Sequence, residues 1–177
     1  MRVLCVSGSP RAGGNTDYLL KTLVSAVGGQ FIRLSDYHIE HCTACWKCRE
    51  LGRCVIEDDM TETLIPLLLE SDAIILGSPV FFNNVTAEMK AFMDRTWALR
   101  GKIRNKIGGA VVVGRRYGLE SAVTAINGFF LKHEMIIANR GVTGLAFEKG
   151  EITGDAEAVR SIESLAQRIR ELKAGVA

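Results

Sequence analysis

The chain has 177 residues, a formal net charge of +2, and 47% hydrophobic against 24% charged residues. This composition is typical of a one-domain globular protein, and without a basic run it gives no reason to expect nucleic acid as a partner. The N-terminal apolar run is too short for a signal peptide, and no apolar stretch approaches the roughly 18 residues that a membrane-spanning helix needs. We therefore expect a cytoplasmic protein, in which clustered cysteines more often bind metal than form disulfides.

Short apolar runs rich in β-branched residues alternate with amphipathic segments along the chain. The apolar runs predict five strands, at residues 3–6, 30–34, 73–77, 110–113 and 135–138. The amphipathic segments predict helices after each strand, with Asn15 or Thr16 as the N-cap of the first, Thr86 as the N-cap of the third and Asp155 as the N-cap of the last. Pro66 is expected to kink or break the second helix, which runs from Asp58 to about residue 70.

Five apolar strands separated by helices indicate a parallel sheet with helices on both faces. Right-handed crossovers and the chain length favour the flavodoxin-like strand order 2-1-3-4-5. In this fold a ligand lies outside the carboxyl ends of the strands, at the switch between strands 1 and 3. We expect residues 1–177 to form a single domain of this class, with a cysteine-rich insertion at about residues 36–59.

The loop after the first predicted strand combines three glycines, hydroxyl groups and an arginine directly before a helix. Glycines allow backbone N–H groups to converge, and a helix N-terminus adds partial positive charge, so the loop is suited to a phosphate group. The candidate phosphate-binding residues are Ser9, Arg11, Asn15 and Thr16. FMN fits better than ATP, because no lysine follows the last glycine and no Mg²⁺-binding carboxylate is evident. A turn that only connects two elements is the alternative.

The loop after the third predicted strand is suited to a planar heterocycle such as a flavin ring, since it holds a stiffening proline, two aromatic rings and two amides. Its candidate residues are Pro79, Val80, Phe81, Phe82, Asn83 and Asn84. The alternative is a turn with phenylalanines in the core, and we expect one of the two rings to face the core. In the loop after the fourth strand, Arg115 or Arg116 is suited to the charge of a reduced flavin or to the phosphate of a nicotinamide nucleotide, although exposed arginines often bind nothing.

Four of the five cysteines fall within thirteen residues, as Cys42, Cys45, Cys48 and Cys54. Two two-residue gaps followed by a fourth cysteine are typical of iron–sulfur ligation, so the first hypothesis is a [4Fe–4S] cluster. Zinc more often uses two separated Cys-x-x-Cys pairs, and a Cys45–Cys48 redox pair leaves the other two thiols without a role. Zinc, a redox pair and disulfides remain as alternatives. Cys5, inside the first strand, is expected to be a small buried side chain.

These segments resemble the iron–sulfur flavoproteins of anaerobic archaea and bacteria, within the larger group of NAD(P)H-dependent FMN reductases. The resemblance covers about residues 1–140, and the cysteine spacing is its specific part. Phe81 stands where relatives often carry tyrosine. The matching residues are Gly8-Ser9-Pro10-Arg11 with Asn15-Thr16, the cysteine run ending in Asp58-Asp59-Met60, Gly77-Ser78-Pro79-Val80-Phe81, Met89-Lys90-Ala91-Phe92-Met93-Asp94-Arg95, and Gly114, Arg116, Gly118 and Glu120.

The resemblance implies FMN at the carboxyl edge of the sheet, with Gly114, Arg116 and Gly118 in its site, and a [4Fe–4S] cluster on the four clustered cysteines. It also implies a homodimer or homotetramer, a ferredoxin-like donor or NAD(P)H, and oxygen, peroxide or a quinone as acceptor. The leading hypothesis is an electron-transfer oxidoreductase that needs no acid–base residue. The alternatives are an NAD(P)H-dependent reductase of flavin, quinone or azo substrates without a cluster, and a zinc-stabilised nucleotide-binding or redox-sensing module.

Overall fold

The sheet of the computed structural model, which describes residues 1–176, has the strand order β2-β1-β3-β4-β5, with β6 also paired to β4. Every pairing between these strands is parallel. The predicted flavodoxin-like order is therefore confirmed. The strands are β1 (Val3–Ser7), β2 (Gln30–Arg33), β3 (Ala73–Pro79), β4 (Ile107–Gly114), β5 (Ile136–Ile137) and β6 (Val142–Leu145).

Helices cover both faces of the sheet. They are α1 (Asn15–Val27), α2 (Lys47–Leu51), α3 (Ile65–Glu70), α4 (Ala87–Arg95), α5 (Leu119–Lys132) and α6 (Ala156–Val176). Short 3-10 helices lie at Leu34–Asp36, Thr96–Leu99 and Glu151–Gly154. In the part of the chain that the structure describes, each helix is too short or too polar to cross a bilayer.

Successive strand residues point to opposite faces of the sheet, so the chain has two hydrophobic cores. Leu4 and Val6 pack on the face covered by α3, α4 and α5. Cys5, between them, packs on the face covered by α1 and α6 and is fully buried, as predicted. Strands buried on both faces are continuous apolar runs, which explains why β1, β3 and β4 were recognisable in the sequence.

The fifth strand position is divided between two short strands, which corrects the single strand predicted at residues 135–138. β5 pairs with Ile107 and Gly108 at one end of β4, and β6 pairs with residues 111–114 at its other end. Gly141, in the connection, has a φ of +121°, which a residue with a β-carbon rarely adopts. The stretch after residue 138, expected to be irregular, thus returns to the sheet and ends at its carboxyl edge.

The second predicted helix contains a break next to Pro66. Met60–Leu64 forms a π-helical turn in which the N–H of Ile65 donates to the carbonyl of Met60, and α3 begins immediately afterwards. Proline has no N–H to donate, so a change in the hydrogen-bond ladder at this point is expected. The predicted break is confirmed.

Two of the three predicted N-caps are confirmed. Thr86 Oγ1 accepts from Met89 N at 3.2 Å, and Asp155 Oδ1 accepts from Ala158 N at 3.0 Å. For α1 the prediction of Asn15 or Thr16 is wrong, since the N-cap is Gly14 and no side chain caps the helix. No side chain therefore accepts a hydrogen bond from the first backbone N–H groups of α1.

Candidate functional site

A cavity of about 180 Å³ opens at the carboxyl edge of the sheet, where the loops after β1, β3, β4 and β6 meet. All four candidate phosphate-binding residues border it, namely Ser9, Arg11, Asn15 and Thr16. From the other predicted set, Pro79, Val80, Phe81 and Gly114 border it as well. Residues separated by up to a hundred positions in the chain are thus brought together as the fold class predicts.

The loop after β1 is shaped by a buried carboxylate that sequence reasoning missed. Asp17 accepts from the Ser7 hydroxyl and, at 2.8 Å, from Gly13 N, and its side chain is almost fully buried. Ser9 Oγ accepts from Arg11 N at 3.2 Å and closes the tip of the loop. Because each of these acceptors lies on the inner side of the loop, the loop is held open around the start of α1.

Asn15 borders the cavity, but its amide is engaged by the segment that follows β6. Its Nδ2 donates to the Glu148 carbonyl at 2.8 Å, and its Oδ1 accepts from Gly150 N at 2.9 Å. Arg11 Nη1 donates to the Phe147 carbonyl at 3.2 Å. Two predicted phosphate ligands therefore also position the loop after β6.

That loop adds cavity residues that sequence reasoning missed. Ala146, Phe147 and Lys149 border the cavity, as does Arg115 from the loop after β4. The guanidinium of Arg115 lies 4.9 Å from the ring centre of Phe147. The signal for this loop in the sequence was an aromatic residue and a lysine, which come directly after β6, a run in which apolar and polar residues alternate only weakly. The cavity consequently has three cationic side chains on its border, Arg11, Arg115 and Lys149.

The loop after β3 is a tight hairpin that turns both phenylalanines outward. Phe81 and Asn84 exchange backbone hydrogen bonds of 2.8 and 3.0 Å, and the two residues between them have positive φ values. Phe81 is 51% exposed and Phe82 is fully exposed. The expectation that one ring faces the core is wrong, because the two-residue turn leaves both side chains at its tip.

The predicted residues of this region divide between two neighbouring surfaces. Phe82, Asn83 and Arg116 do not border the cavity but line an adjoining open recess of about 540 Å³, together with Tyr117. The recess and the cavity share Val80 and Arg115. Asn84 borders neither, and its side chain accepts from Val85 N at 2.8 Å. Gly118 packs beneath the hairpin, where a β-carbon would collide with Asn83.

The four clustered cysteines border a second cavity of about 30 Å³. Burial, and to a smaller extent the neighbouring thiols of Cys54, Cys42 and Cys45, raises the pKa of Cys48. Each is a free thiol. Within residues 1–176 no three His, Cys, Asp or Glu side chains are close enough to share a single metal ion. The thiols therefore surround a space rather than meet at one point.

A buried ion pair fixes both ends of the cysteine segment. Arg95 Nη1 donates to Asp58 Oδ2 at 2.6 Å and Nη2 donates to Oδ1 at 2.9 Å, with both side chains fully buried. The same two nitrogens donate to the carbonyls of Glu40, at 2.7 Å, and Ile56, at 3.2 Å. Burial raises the pKa of Asp58, but the hydrogen bonds from Arg95 and from Glu40 N outweigh it and lower that pKa overall.

The two cavities lie at opposite ends of α4, although the cysteine segment follows the parallel strand β2 and would be expected to emerge at the same edge of the sheet as the first cavity. Phe81, on the first cavity, precedes the helix, whereas Arg95 and Trp97, on the second, stand at its end. The eight steps from Ala87 to Arg95 span about 12 Å at 1.5 Å per residue. The segment after β2 has no regular structure between residues 37 and 46, and it leads to the cysteines that border the cavity at the end of α4.

Comparison with known proteins agrees with this geometry. Residues 1–149 match the model of the NADPH-dependent FMN reductase family. The chain is 38% identical to an iron–sulfur flavoprotein of Methanocaldococcus jannaschii, with 97% of each chain covered. It is 34% identical to an iron–sulfur flavoprotein of Archaeoglobus fulgidus, over 97% of this chain and 80% of that one. Its fold is similar to that of a flavodoxin from the domain Archaea, with a TM-score of 0.64 at 18% identity over 98% of this chain and 99% of that one.

Proposed function

Because this chain belongs to the NADPH-dependent FMN reductase family, and within it to the iron–sulfur flavoproteins, we propose that it is an electron-transfer oxidoreductase with two redox centres, FMN and a [4Fe–4S] cluster. In this proposal electrons pass from a ferredoxin-like donor through the cluster to FMN, and on to oxygen, peroxide or a quinone. The cluster supplies single-electron steps, and the flavin connects them to two-electron acceptors. Residues 1–177 form one flavodoxin-like domain, with residues 36–59 as the cluster-binding insertion.

The cavity at the carboxyl edge of the sheet fits the phosphate end of FMN. The N-terminus of α1 has no side-chain cap, so its first N–H groups are available to an anion. Arg11 and Lys149 border the same space and add positive charge. In this assignment Ser9, Arg11 and Thr16 contact the phosphate, and Asn15 acts by fixing the loop after β6.

The same cavity has an apolar side suited to the flavin ring. Pro79, Val80 and Phe81 form it, and Phe81 is held in place by its two backbone hydrogen bonds with Asn84. Gly114 lets Val80 approach, since a β-carbon there would come within 2.9 Å of Val80 Cγ2. A planar ring matches a fixed apolar surface of this kind.

The observation that carries the cluster assignment is that Cys42, Cys45, Cys48 and Cys54 all border one cavity. Thiolates placed around a small space are suited to a polynuclear centre whose irons each take one of them. A single zinc ion would instead need its sulfurs at about 2.3 Å from a common point. In the homodimer or homotetramer that the family resemblance implies, the cluster of one subunit would lie beside the flavin of another.

The proposal is tested by anaerobic purification or reconstitution, followed by iron, sulfide and flavin analysis and by EPR after dithionite reduction. We expect about four irons and four sulfides for each chain. Changing Cys42, Cys45, Cys48 or Cys54 to serine lowers the iron content but leaves FMN bound, whereas Cys5→Ala, in the buried strand, keeps both. Stoichiometric zinc without iron would contradict the cluster assignment and support the zinc-stabilised module.

A second candidate donor is NAD(P)H, because the open recess adjoins the FMN cavity. Arg115 and Arg116 border the recess together with the exposed rings of Phe82 and Tyr117. Cationic and aromatic side chains suit the phosphates and bases of a nicotinamide nucleotide. Replacing both arginines with glutamine should then slow flavin reduction by NADPH and leave reduction by dithionite unchanged. If NADPH bleaches FMN equally fast in the cysteine-to-serine variants, a reductase that works without the cluster is favoured.

A further inference from the structure

Arg95 has one more hydrogen-bond donor than its protein partners use. A guanidinium carries five N–H groups. Four of them serve Asp58 and the carbonyls of Glu40 and Ile56. The fifth, on Nε, is buried and has no partner among the described residues. A buried donor is expected to have an acceptor, so the unpartnered N–H of this fully buried side chain points to a ligand.

The side chain that carries this donor borders the cysteine cavity. Arg95 borders it together with all four cysteines, and the side chain is only 2% exposed. Burial lowers the pKa of Arg95, but the hydrogen bonds to Asp58 outweigh it and raise that pKa. Sulfur accepts hydrogen bonds from N–H groups, and a thiolate or sulfide accepts them most strongly.

We infer that Arg95 sets the reduction potential of the bound cluster, by donating its Nε–H to a cluster sulfur or to the Cys54 thiolate and by placing a desolvated positive charge beside it. This inference rests on the cluster assignment of the proposed function. Cluster potentials depend on net charge, on hydrogen bonds to the sulfurs and on exposure to solvent. Reduction adds one negative charge, so both effects of Arg95 stabilise the reduced state and raise the potential.

Asp58 has a separate part in this arrangement. Its two oxygens hold the guanidinium in one orientation, and its negative charge partly offsets that of Arg95. A purely structural role for the ion pair would also explain why it is buried at the ends of the cysteine segment. Such a role predicts that removing the pair lowers the amount of cluster bound, without changing the potential of the cluster that remains. The midpoint potential of the cluster therefore distinguishes an effect of Arg95 on the potential from a purely structural role of the ion pair.

The test is an EPR-monitored redox titration of anaerobically reconstituted holoprotein. The decisive comparison is Asp58→Asn against the double variant Asp58→Asn, Arg95→Met, because neither contains an unpaired buried carboxylate. We expect the Asp58→Asn single variant to have a potential above that of the wild type, and the double variant to have a potential below that of the single variant. Arg53→Gln removes an exposed arginine beside Cys54 and, because solvent screens that charge, should shift the potential least. Equal potentials in the single and double variants would overturn the inference.

A second measurement uses the wild-type cluster itself, in case the double variant binds no iron. Protein labelled with ¹⁵N-arginine is reduced, and the cluster signal is examined by pulsed EPR for a ¹⁵N hyperfine coupling. We expect a weak coupling that persists in Arg53→Gln and is lost in Arg95→Lys. Absence of the coupling in the wild type would contradict the inference while leaving the proposed function intact. A wild-type sample that takes up no iron would contradict the proposed function itself, and the inference with it.

Discussion

Gly118 and Asn83 lie so close together that a β-carbon on Gly118 would come within 2.6 Å of the Asn83 α-carbon. Gly118 also has a φ of +79°, in the left-handed region that glycine adopts without strain. The contact holds the loop after β4 against the hairpin after β3, and Val80 lies 2.8 Å from the same position. Two loops that border the proposed FMN cavity thus depend on the absence of a side chain at Gly118.

Gly118→Ala should therefore weaken both the fold and FMN binding. The backbone strain alone is expected to lower the free energy of unfolding by about 1–3 kcal/mol. Displacement of Val80 and the hairpin should also raise the dissociation constant for FMN. Urea denaturation measures the first effect, and quenching of FMN fluorescence on titration with apoprotein measures the second.

The matched control is Gly128→Ala. Gly128 lies inside α5, and a β-carbon there would meet nothing within 4 Å. Alanine is the better helix former, so this change should raise the free energy of unfolding by about 0.5–1 kcal/mol and leave FMN affinity unaltered. Wild-type stability and FMN affinity in the Gly118 variant would show that the two loops do not depend on each other.

Asn15→Ala should reduce FMN affinity through the loop after β6. The change removes the hydrogen bonds to Glu148 O and from Gly150 N, so the segment that carries Lys149 loses its fixed position. Losing one hydrogen bond worth about 1 kcal/mol at the site corresponds to a roughly fivefold rise in the dissociation constant. Isothermal titration of apoprotein with FMN measures it. Asn127→Ala, which cuts a similar amide-to-carbonyl bond to Arg140 far from the cavity, should bind FMN as the wild type does.

The fold was predictable where the sequence pattern is strong. β3 and β4 are buried along nearly their whole length. Such continuous apolar runs can be recognised in the sequence without any information on tertiary structure. β6 was missed because only two of its four residues, Val142 and Gly144, are buried, and a glycine adds no hydrophobic signal. Its pairing with β4 depends on contacts that local periodicity does not encode.

The candidate sites were predictable as sets of residues but not as positions in space. Spacing alone groups the four cysteines, and all four do border one cavity. Their location at the end of α4 depends on the ion pair between Asp58 and Arg95, which are 37 positions apart. Asp58 reads as the start of a helix and Arg95 as part of an amphipathic segment, so neither residue by itself indicates a buried contact.

Cys5 should be the one thiol that does not react in the folded protein. Burial raises the pKa of its thiol to about 12. At pH 8 the thiolate fraction is therefore on the order of one in ten thousand, and the side chain is also inaccessible. After removal of iron by a chelator, Ellman's reagent should modify four thiols rapidly and the fifth only when denaturant is added. Cys5→Ala should abolish the slow phase alone, and five equally fast thiols would contradict the burial of β1.

His133 should make the protein less stable as the pH falls below about 6.5, the usual pKa of histidine. The ring is buried, its Nε2 lies 2.9 Å from Thr96 Oγ1, and its Nδ1 has no partner among residues 1–176. Burial, and to a smaller extent the charge of Lys132, lowers the pKa of His133. The unfolded chain then takes up a proton at a higher pH than the folded protein does. The contribution of the neutral ring is complete above about pH 6.5 and is lost as the pH falls toward the lower folded pKa.

His133→Gln should remove this dependence while His38→Gln should keep it, because the side chain of His38 is 73% exposed. The measurement is the free energy of unfolding in urea at several pH values between 5 and 7.5. The wild type and the His38 variant should lose stability in parallel over this range, and the His133 variant should change less. If all three curves are parallel, protonation of His133 costs the fold nothing, and the buried surroundings of the ring beside Thr96 must admit a charged imidazole.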